Sequence, residues 1–204
     1  MNVSSAKRLI ESNALNDQFS LLYQDVDAAK ARYIKACDGF IEIYGDRENI
    51  RIFSAPGRTE VGGNHTDHQH GRVLAGSVDL DIIGIVALND DNMVRIKSEG
   101  FKMDEIDLSV LDIVPSETGR AAALIRGMGG NFSKKGFAFG GFDAYTTSSV
   151  MKGSGLSSSA AFEVFVGTVL NFIFNEGTIS PVEIAKMAQN SESVYFGKPC
   201  GLLD

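Results

Sequence analysis

An α+β fold is what this 204-residue chain predicts, on three observations. In residues 14–45, Val26, Ala29, Tyr33, Cys37, Phe40 and Tyr44 recur at three- and four-residue steps, the spacing of one helix face. From Ile50 the pattern changes to short β-rich runs parted by Gly, Asn and Asp. Helical patterns return after residue 120, so helices are mixed with strands whose short connections suit antiparallel pairing.

The elements follow in order. Gly45 is placed to cap the end of the first helical run, because a left-handed residue there costs glycine nothing. Strands are expected at 51–55, 78–88 and 93–98, with Asn89-Asp90-Asp91-Asn92 as a hairpin turn between the last two. Residues 121–128 predict a short helix ended by Gly129-Gly130, and 141–147 a strand. Residues 160–174 are apolar enough for a buried helix, interrupted only by charged or polar groups such as Glu163 and Asn171. A last helix over 181–196 starts with Ser180 as N-cap, Pro181 at the first helical position and Glu183 in the first turn. We divide the chain into an N-terminal helical segment, 1–49, and a domain over 50–204.

Composition excludes several function classes. A net charge of −7 disfavours non-specific binding to nucleic acid or to anionic membranes, which needs concentrated Lys and Arg. Two cysteines, Cys37 and Cys200, are too few for a disulfide framework and read as reduced thiols. No basic stretch followed by an apolar core opens the chain, and its longest apolar run is too short to span a bilayer. The expectation is a soluble, cytoplasmic protein that takes small molecules as partners.

Chemistry concentrates in three places. Gly153, Ser154, Gly155, Leu156, Ser157, Ser158 and Ser159 lie between a strand and a long helix. Glycines permit close approach to an anion, free N–H groups at a helix start hold it, and a hydroxyl can ligate Mg²⁺. Taken alone, the same residues also read as an ordinary Gly-rich turn with a serine N-cap. Residues 55–71 form a polar, glycine-containing loop with all 3 histidines, His65, His68 and His70, beside Asp67, a composition suited to a hydroxyl-rich ligand. Its histidine spacing matches no closed zinc pattern, and a solvated loop is the plain alternative. Glu192 and Asp204 mark the third place; a lone Glu is exposed by default, and a terminal Asp is usually frayed.

Together the three stretches resemble the galactokinases, members of the GHMP kinase superfamily of sugar, homoserine, mevalonate and phosphomevalonate kinases. The signature Gly-Arg-x-Asn-x-Ile-Gly-Glu-His-Thr-Asp-Tyr is met by residues 57–68, and the superfamily phosphate loop by residues 153–160. A third stretch, from Glu192 to Asp204, is similar to Glu-x-x-Phe-x-Gly…Cys-Gly-x-x-Asp. The resemblance implies a domain like the second domain of ribosomal protein S5 and ATP-dependent phosphorylation of galactose at its anomeric hydroxyl, by direct in-line transfer. It implies Asp204 and Arg58 as catalytic residues, residues 153–159 around the ATP phosphates, and Ser159 and Glu192 as holders of Mg²⁺. Arg58, Asn64, His65, Asp67, Gly201 and Asp204 would meet the sugar.

The departures are specific. Asn64 stands where the family has Glu, so a hydrogen bond to a sugar hydroxyl loses its charge, a difference of about 1–2 kcal/mol. His68, Gln69, Glu60 and Met151 replace Tyr, Asn, Asn and Pro. Asn64 motivates a second reading as a kinase of N-acetylgalactosamine or another hexose. A non-catalytic sugar and ATP sensor is a third, set back by the intact phosphate-loop serines. Family members run about twice as long, with a ferredoxin-like C-terminal domain. Without that domain the chain is expected to be inactive, with Asp204 poorly held.

Overall fold

The computed structural model describes residues 1–151 and 153–204. Three helices come first: α1 (Val3–Glu11), α2 (Asn16–Leu22) and α3 (Val26–Tyr44). Strands β1 (Arg51–Gly62), β2 (Leu74–Leu88), β3 (Met93–Ser98) and β4 (Met103–Asp107) follow, then α4 (Ala121–Lys134) and β5 (Phe142–Ser148). The chain ends with α5 (Ser158–Phe174), α6 (Pro181–Asn190) and one π-helical turn, Ser191–Phe196.

The five described strands form one sheet in the order β1-β2-β5-β3-β4. All neighbours are antiparallel except β3 and β5. Alternation along β2 gives the sheet two buried faces. Ile83, Ile85 and Ala87 pack with Tyr145 under Tyr33, Cys37 and Phe40 of α3. Ile82 and Val86 face the other way, with Ile96 and Ala144, toward Phe165, Val166 and Val169 of α5. Helices thus cover both sides, and fully buried phenylalanines such as Phe40, Phe132 and Phe165 each contribute about 2–3 kcal/mol of apolar burial.

Several expectations hold closely. Gly45 (φ 78°) caps α3, and the Ser180 hydroxyl accepts the Glu183 N–H at the start of α6. Others need correction. The 89–92 segment is not a hairpin turn, because β5 lies between β2 and β3. It arches over the start of β5, where Asn89 donates to Met93 O (2.9 Å) and Asp143 Oδ1 (3.0 Å). Gly141 makes room: a Cβ there would strike Asp91 O, Asn89 Oδ1 and Met93 O. The helical run over 14–45 is broken at residues 23–25, α1 precedes that run within the segment read as helical, and β4 is an additional strand.

Gly129-Gly130 does not end α4, which runs on to Lys134. These glycines cost helix propensity but let other groups press against the helix. A Cβ on Gly127 would stand 2.8 Å from Ser191 Cβ, one on Gly129 2.9 Å from Leu108, and one on Gly130 against the Tyr195 hydroxyl. Gly127→Val is therefore expected to lower stability by about 2–3 kcal/mol, by wedging α4 from the π-turn. Thermal unfolding checks it, and an unchanged melting temperature refutes the packing argument. The π-turn also carries Glu192.

Candidate functional site

Arg58 is aimed by an irregularity in β1. Pairing with β2 shifts register between Pro56 and Arg58, and the bulge turns the arginine toward the residue 153–157 loop. Gly57 permits the approach. A Cβ there would lie 3.0 Å from Leu156 O and 3.2 Å from the Val150 methyls, whereas bare backbone lets Arg58 N donate to Leu156 O at 3.2 Å. The guanidinium then gathers three segments. Nε donates to Leu203 O (2.7 Å), Nη1 to Gly155 O (3.0 Å) and Nη2 to Asp204 Oδ1 (2.6 Å), with His65 Nε2 at 3.3 Å.

Gly153 (φ 80°) and Gly155 (φ 77°) adopt left-handed backbone, so the loop folds back before α5. Ser157 is also left-handed (φ 53°), and its hydroxyl does not cap the helix. It donates instead to Asp204 Oδ1 at 2.8 Å. The first N–H groups of α5 therefore stay free of a side-chain cap, with the positive end of the helix dipole behind them. The Ser154 hydroxyl turns back to Met151 O (2.7 Å), away from this cluster.

The polar loop after β1 closes on itself. His65 and His70 take left-handed backbone around a short 3-10 turn, Thr66–Gln69, and Gly71 N donates to Thr66 O (2.8 Å). This directs Asp67 inward, where Leu203 N donates to its Oδ2 at 2.9 Å while Oδ1 is buried without a partner. Gly201 is essential to the fit, since a Cβ would overlap the Asp67 carboxylate. Burial alone would raise the Asp67 pKa, but the backbone N–H groups of Leu203 and Leu202 hold it below the ordinary value. Asn64 is exposed with left-handed backbone (φ 53°), His65 is tied through its N–H to Glu60 (3.2 Å), and His68 and His70 point outward as exposed groups. Among the described residues no group of three or more His, Cys, Asp or Glu side chains is placed to hold a metal ion.

The terminal aspartate is not frayed. Leu203 beside it is buried, and Asp204 is 20% exposed in its pair with Arg58. Glu192 also departs from the exposed default: it is 1% exposed, because the wide π-turn swings it against α5. The Ser159 hydroxyl donates to Glu192 Oε1 (2.8 Å), and Oε2 is buried without a partner. Glu192 and Asp204 line one pocket of about 90 Å³, together with Glu163, Cys200 and Gly201.

Arg58 and Ser157 are thus joined to Asp204, Asp67 to Leu203 and against Gly201, and Ser159 to Glu192, while Glu192, Gly201 and Asp204 share the lining of one pocket; Ser154, Asn64 and His68 stay outside these contacts. Sequence reasoning missed two members. Glu163 is 1% exposed with both carboxylate oxygens unpartnered, and burial beside Glu192 pushes its pKa up to about 9. A carboxylate inside an otherwise apolar helix was its only signal. Lys198 donates to Glu192 Oε1 at 2.9 Å.

Two family models match the chain: the galactokinase galactose-binding signature over residues 38–88 and the GHMP kinases N terminal domain over residues 120–204. The first begins inside α3, so the likeness reaches into the N-terminal helices. The chain is similar to galactokinase of Bacillus subtilis, 34% identical over 81% of this chain and 43% of the relative. It is similar to galactokinase of Clostridium acetobutylicum, 36% identical over 78% of this chain and 41% of that one. A crystal structure of Lactococcus lactis galactokinase complexed with galactose superposes with a TM-score of 0.75 at 30% identity, covering 82% of this chain and 43% of that one. Methanococcus jannaschii mevalonate kinase shares the fold at a TM-score of 0.62 and 18% identity, covering 78% of this chain and 50% of its own. The chain spans less than half the length of the curated galactokinases it matches. No described helix is long and apolar enough to cross a membrane.

Proposed function

The chain belongs to the galactokinase branch of the GHMP kinases and corresponds to their N-terminal part, and from that premise we propose that it serves ATP-dependent phosphorylation of galactose at the anomeric hydroxyl. The observation that carries the reading is Arg58, which joins the sugar-type loop, the phosphate-type loop and Asp204 in one set of hydrogen bonds. The finer fold assignment, a domain like the second domain of ribosomal protein S5, belongs to the same proposal.

Phosphoryl transfer demands positioning and charge neutralisation more than covalent chemistry. In this reading Asp204, fixed by Arg58 and Ser157, accepts a hydrogen bond from the attacking hydroxyl, directs it and takes its proton. Arg58 offsets the negative charge that develops on the transferring group. The free N–H groups at the start of α5, with Gly153, Ser154, Gly155, Leu156, Ser157 and Ser158, surround the ATP phosphates. The unpartnered Asp67 Oδ1 is an acceptor awaiting a sugar hydroxyl, with His65, Asn64 and Gly201 beside it. Ser159 and Glu192 are hard oxygen donors 2.8 Å apart, and the orphaned Glu192 Oε2 fits a divalent cation that also needs phosphate oxygens. Bound Mg²⁺ would supply charge neutralisation at the phosphates.

Thermal unfolding with ligands tests the reading. Galactose together with Mg²⁺ and a non-hydrolysable ATP analogue should raise the melting temperature more than either alone, because only the folded chain binds them. No shift with any ligand would overturn it. Asn64, standing where the family signature has Glu, motivates one variation, a hexose other than galactose. Asn64→Glu is expected to favour galactose over N-acetylgalactosamine by about tenfold, read as the ratio of dissociation constants in a sugar panel. An unchanged ratio would remove Asn64 from sugar selection.

A further inference from the structure

The pocket between α5 and the π-turn sets a lysine on the carboxylate that the kinase reading gives to the metal ion. Glu192 and Glu163 are each 1% exposed and both line it, and three of their four carboxylate oxygens have no partner. The fourth, Glu192 Oε1, receives the Ser159 hydroxyl at 2.8 Å and the Lys198 ammonium at 2.9 Å. Lys198 is brought there by design of the backbone. Gly197 is left-handed (φ 85°) and reverses the chain after the π-turn, and Lys198 N donates back to Glu192 O at 3.1 Å. The lysine side chain is 58% exposed, so its aliphatic part lies in solvent and only the charged end reaches the carboxylate. Among the described residues its ammonium makes no other hydrogen bond. An ammonium on a flexible stem is a compact charge that can leave and return with little disturbance of its surroundings.

We propose that Lys198 is a stand-in cation: it occupies the Glu192 oxygen to which Ser159 points, and a divalent ion must displace it to bind. The inference rests on the assignment of Ser159 and Glu192 as metal holders made above. A buried carboxylate without a counter-charge is costly, so some cation belongs there in every state of the protein. Lysine meets that need before metal arrives, and it suppresses metal binding until nucleotide phosphates supply additional oxygens. The displaced ammonium is left at the mouth of the phosphate site, where it neutralises an incoming anion. Lys198 is on this view a positioning residue that acts through Glu192.

Mn²⁺ titration of the nucleotide-free chain, followed by electron paramagnetic resonance, tests this without any turnover. Lys198→Met should bind Mn²⁺ about tenfold more tightly than the unsubstituted chain, since the competitor is gone. Lys198→Arg, which keeps the charge, should bind like the unsubstituted chain, and adding Glu192→Gln to Lys198→Met should abolish the gain. Mg²⁺ should also raise the melting temperature of Lys198→Met more than that of the unsubstituted chain. Equal Mn²⁺ affinity in Lys198→Met and the unsubstituted chain, or no detectable binding in either, would overturn the proposal. The kinase reading fails separately: if sugar and nucleotide produce no thermal shift it falls, whereas if they do and Lys198→Met leaves Mn²⁺ binding unchanged, only the stand-in role is lost.

Discussion

Arg58→Met is expected to cost about 2–3 kcal/mol of stability and, on the proposed function, to abolish galactose binding. The methionine fills similar space but leaves Leu203 O, Gly155 O and the Asp204 carboxylate without their donor. Removing one partner of a buried ion pair costs about 3–5 kcal/mol, and the modest exposure of this pair, 13% for Arg58 and 20% for Asp204, lowers that figure. Urea unfolding gives the stability change, and calorimetric titration with galactose gives the binding. Hydrogen exchange should localise the damage. The Leu203 amide, which donates to Asp67, should exchange faster as the last residues loosen, while core amides such as those of β2 should follow only the global change. A variant with unaltered unfolding midpoint and unaltered exchange at Leu203 would mean that Arg58 does not tie the segments together.

Glu163→Gln should have the opposite sign and a strong dependence on pH. The Glu163 carboxyl is buried beside Glu192, and its pKa of about 9 lies far above the ordinary carboxylate value. Below the unfolded-state pKa, both folded and unfolded chains carry the proton and the full stability is present. As pH rises, the unfolded chain ionises while the native one does not. Stability then falls by about 1.4 kcal/mol per pH unit until the folded group itself ionises. Gln resembles the protonated acid and cannot titrate. It should therefore stabilise the chain by roughly 2–4 kcal/mol at pH 8 and by almost nothing at pH 4. Urea unfolding at the two pH values checks this. A difference that does not change with pH would show that Glu163 titrates normally in the fold.

These two residues differ in how visible they are in the sequence. Arg58 stands in a long motif with Gly57 before it and Asp67 after it, and its resemblance to the galactokinase signature named it directly. Glu163 offers one charged letter inside an apolar helix, and nothing local distinguishes a buried carboxylate from one at the helix surface. Glu192 shows the same gap. Helical periodicity extends smoothly over residues 181–196, yet the last six form a π-turn that carries the carboxylate inward. A single π-turn at a helix end is too short to disturb the apolar spacing that periodicity reads.

By itself the sequence determined the strand over 78–88, the caps at Gly45 and Ser180, and the glycine-serine segment ahead of α5. Each is a matter of spacing or backbone freedom within a few residues, where physics is local. Only the tertiary structure decided the insertion of β5 between β2 and β3, the continuation of α4 through Gly129 and Gly130, and the burial of Glu163 and Glu192 in one pocket. Those depend on which surfaces come to lie against each other. A glycine reads as a helix end until the Tyr195 hydroxyl is seen to need its missing Cβ, and a carboxylate reads as solvated until another helix covers it.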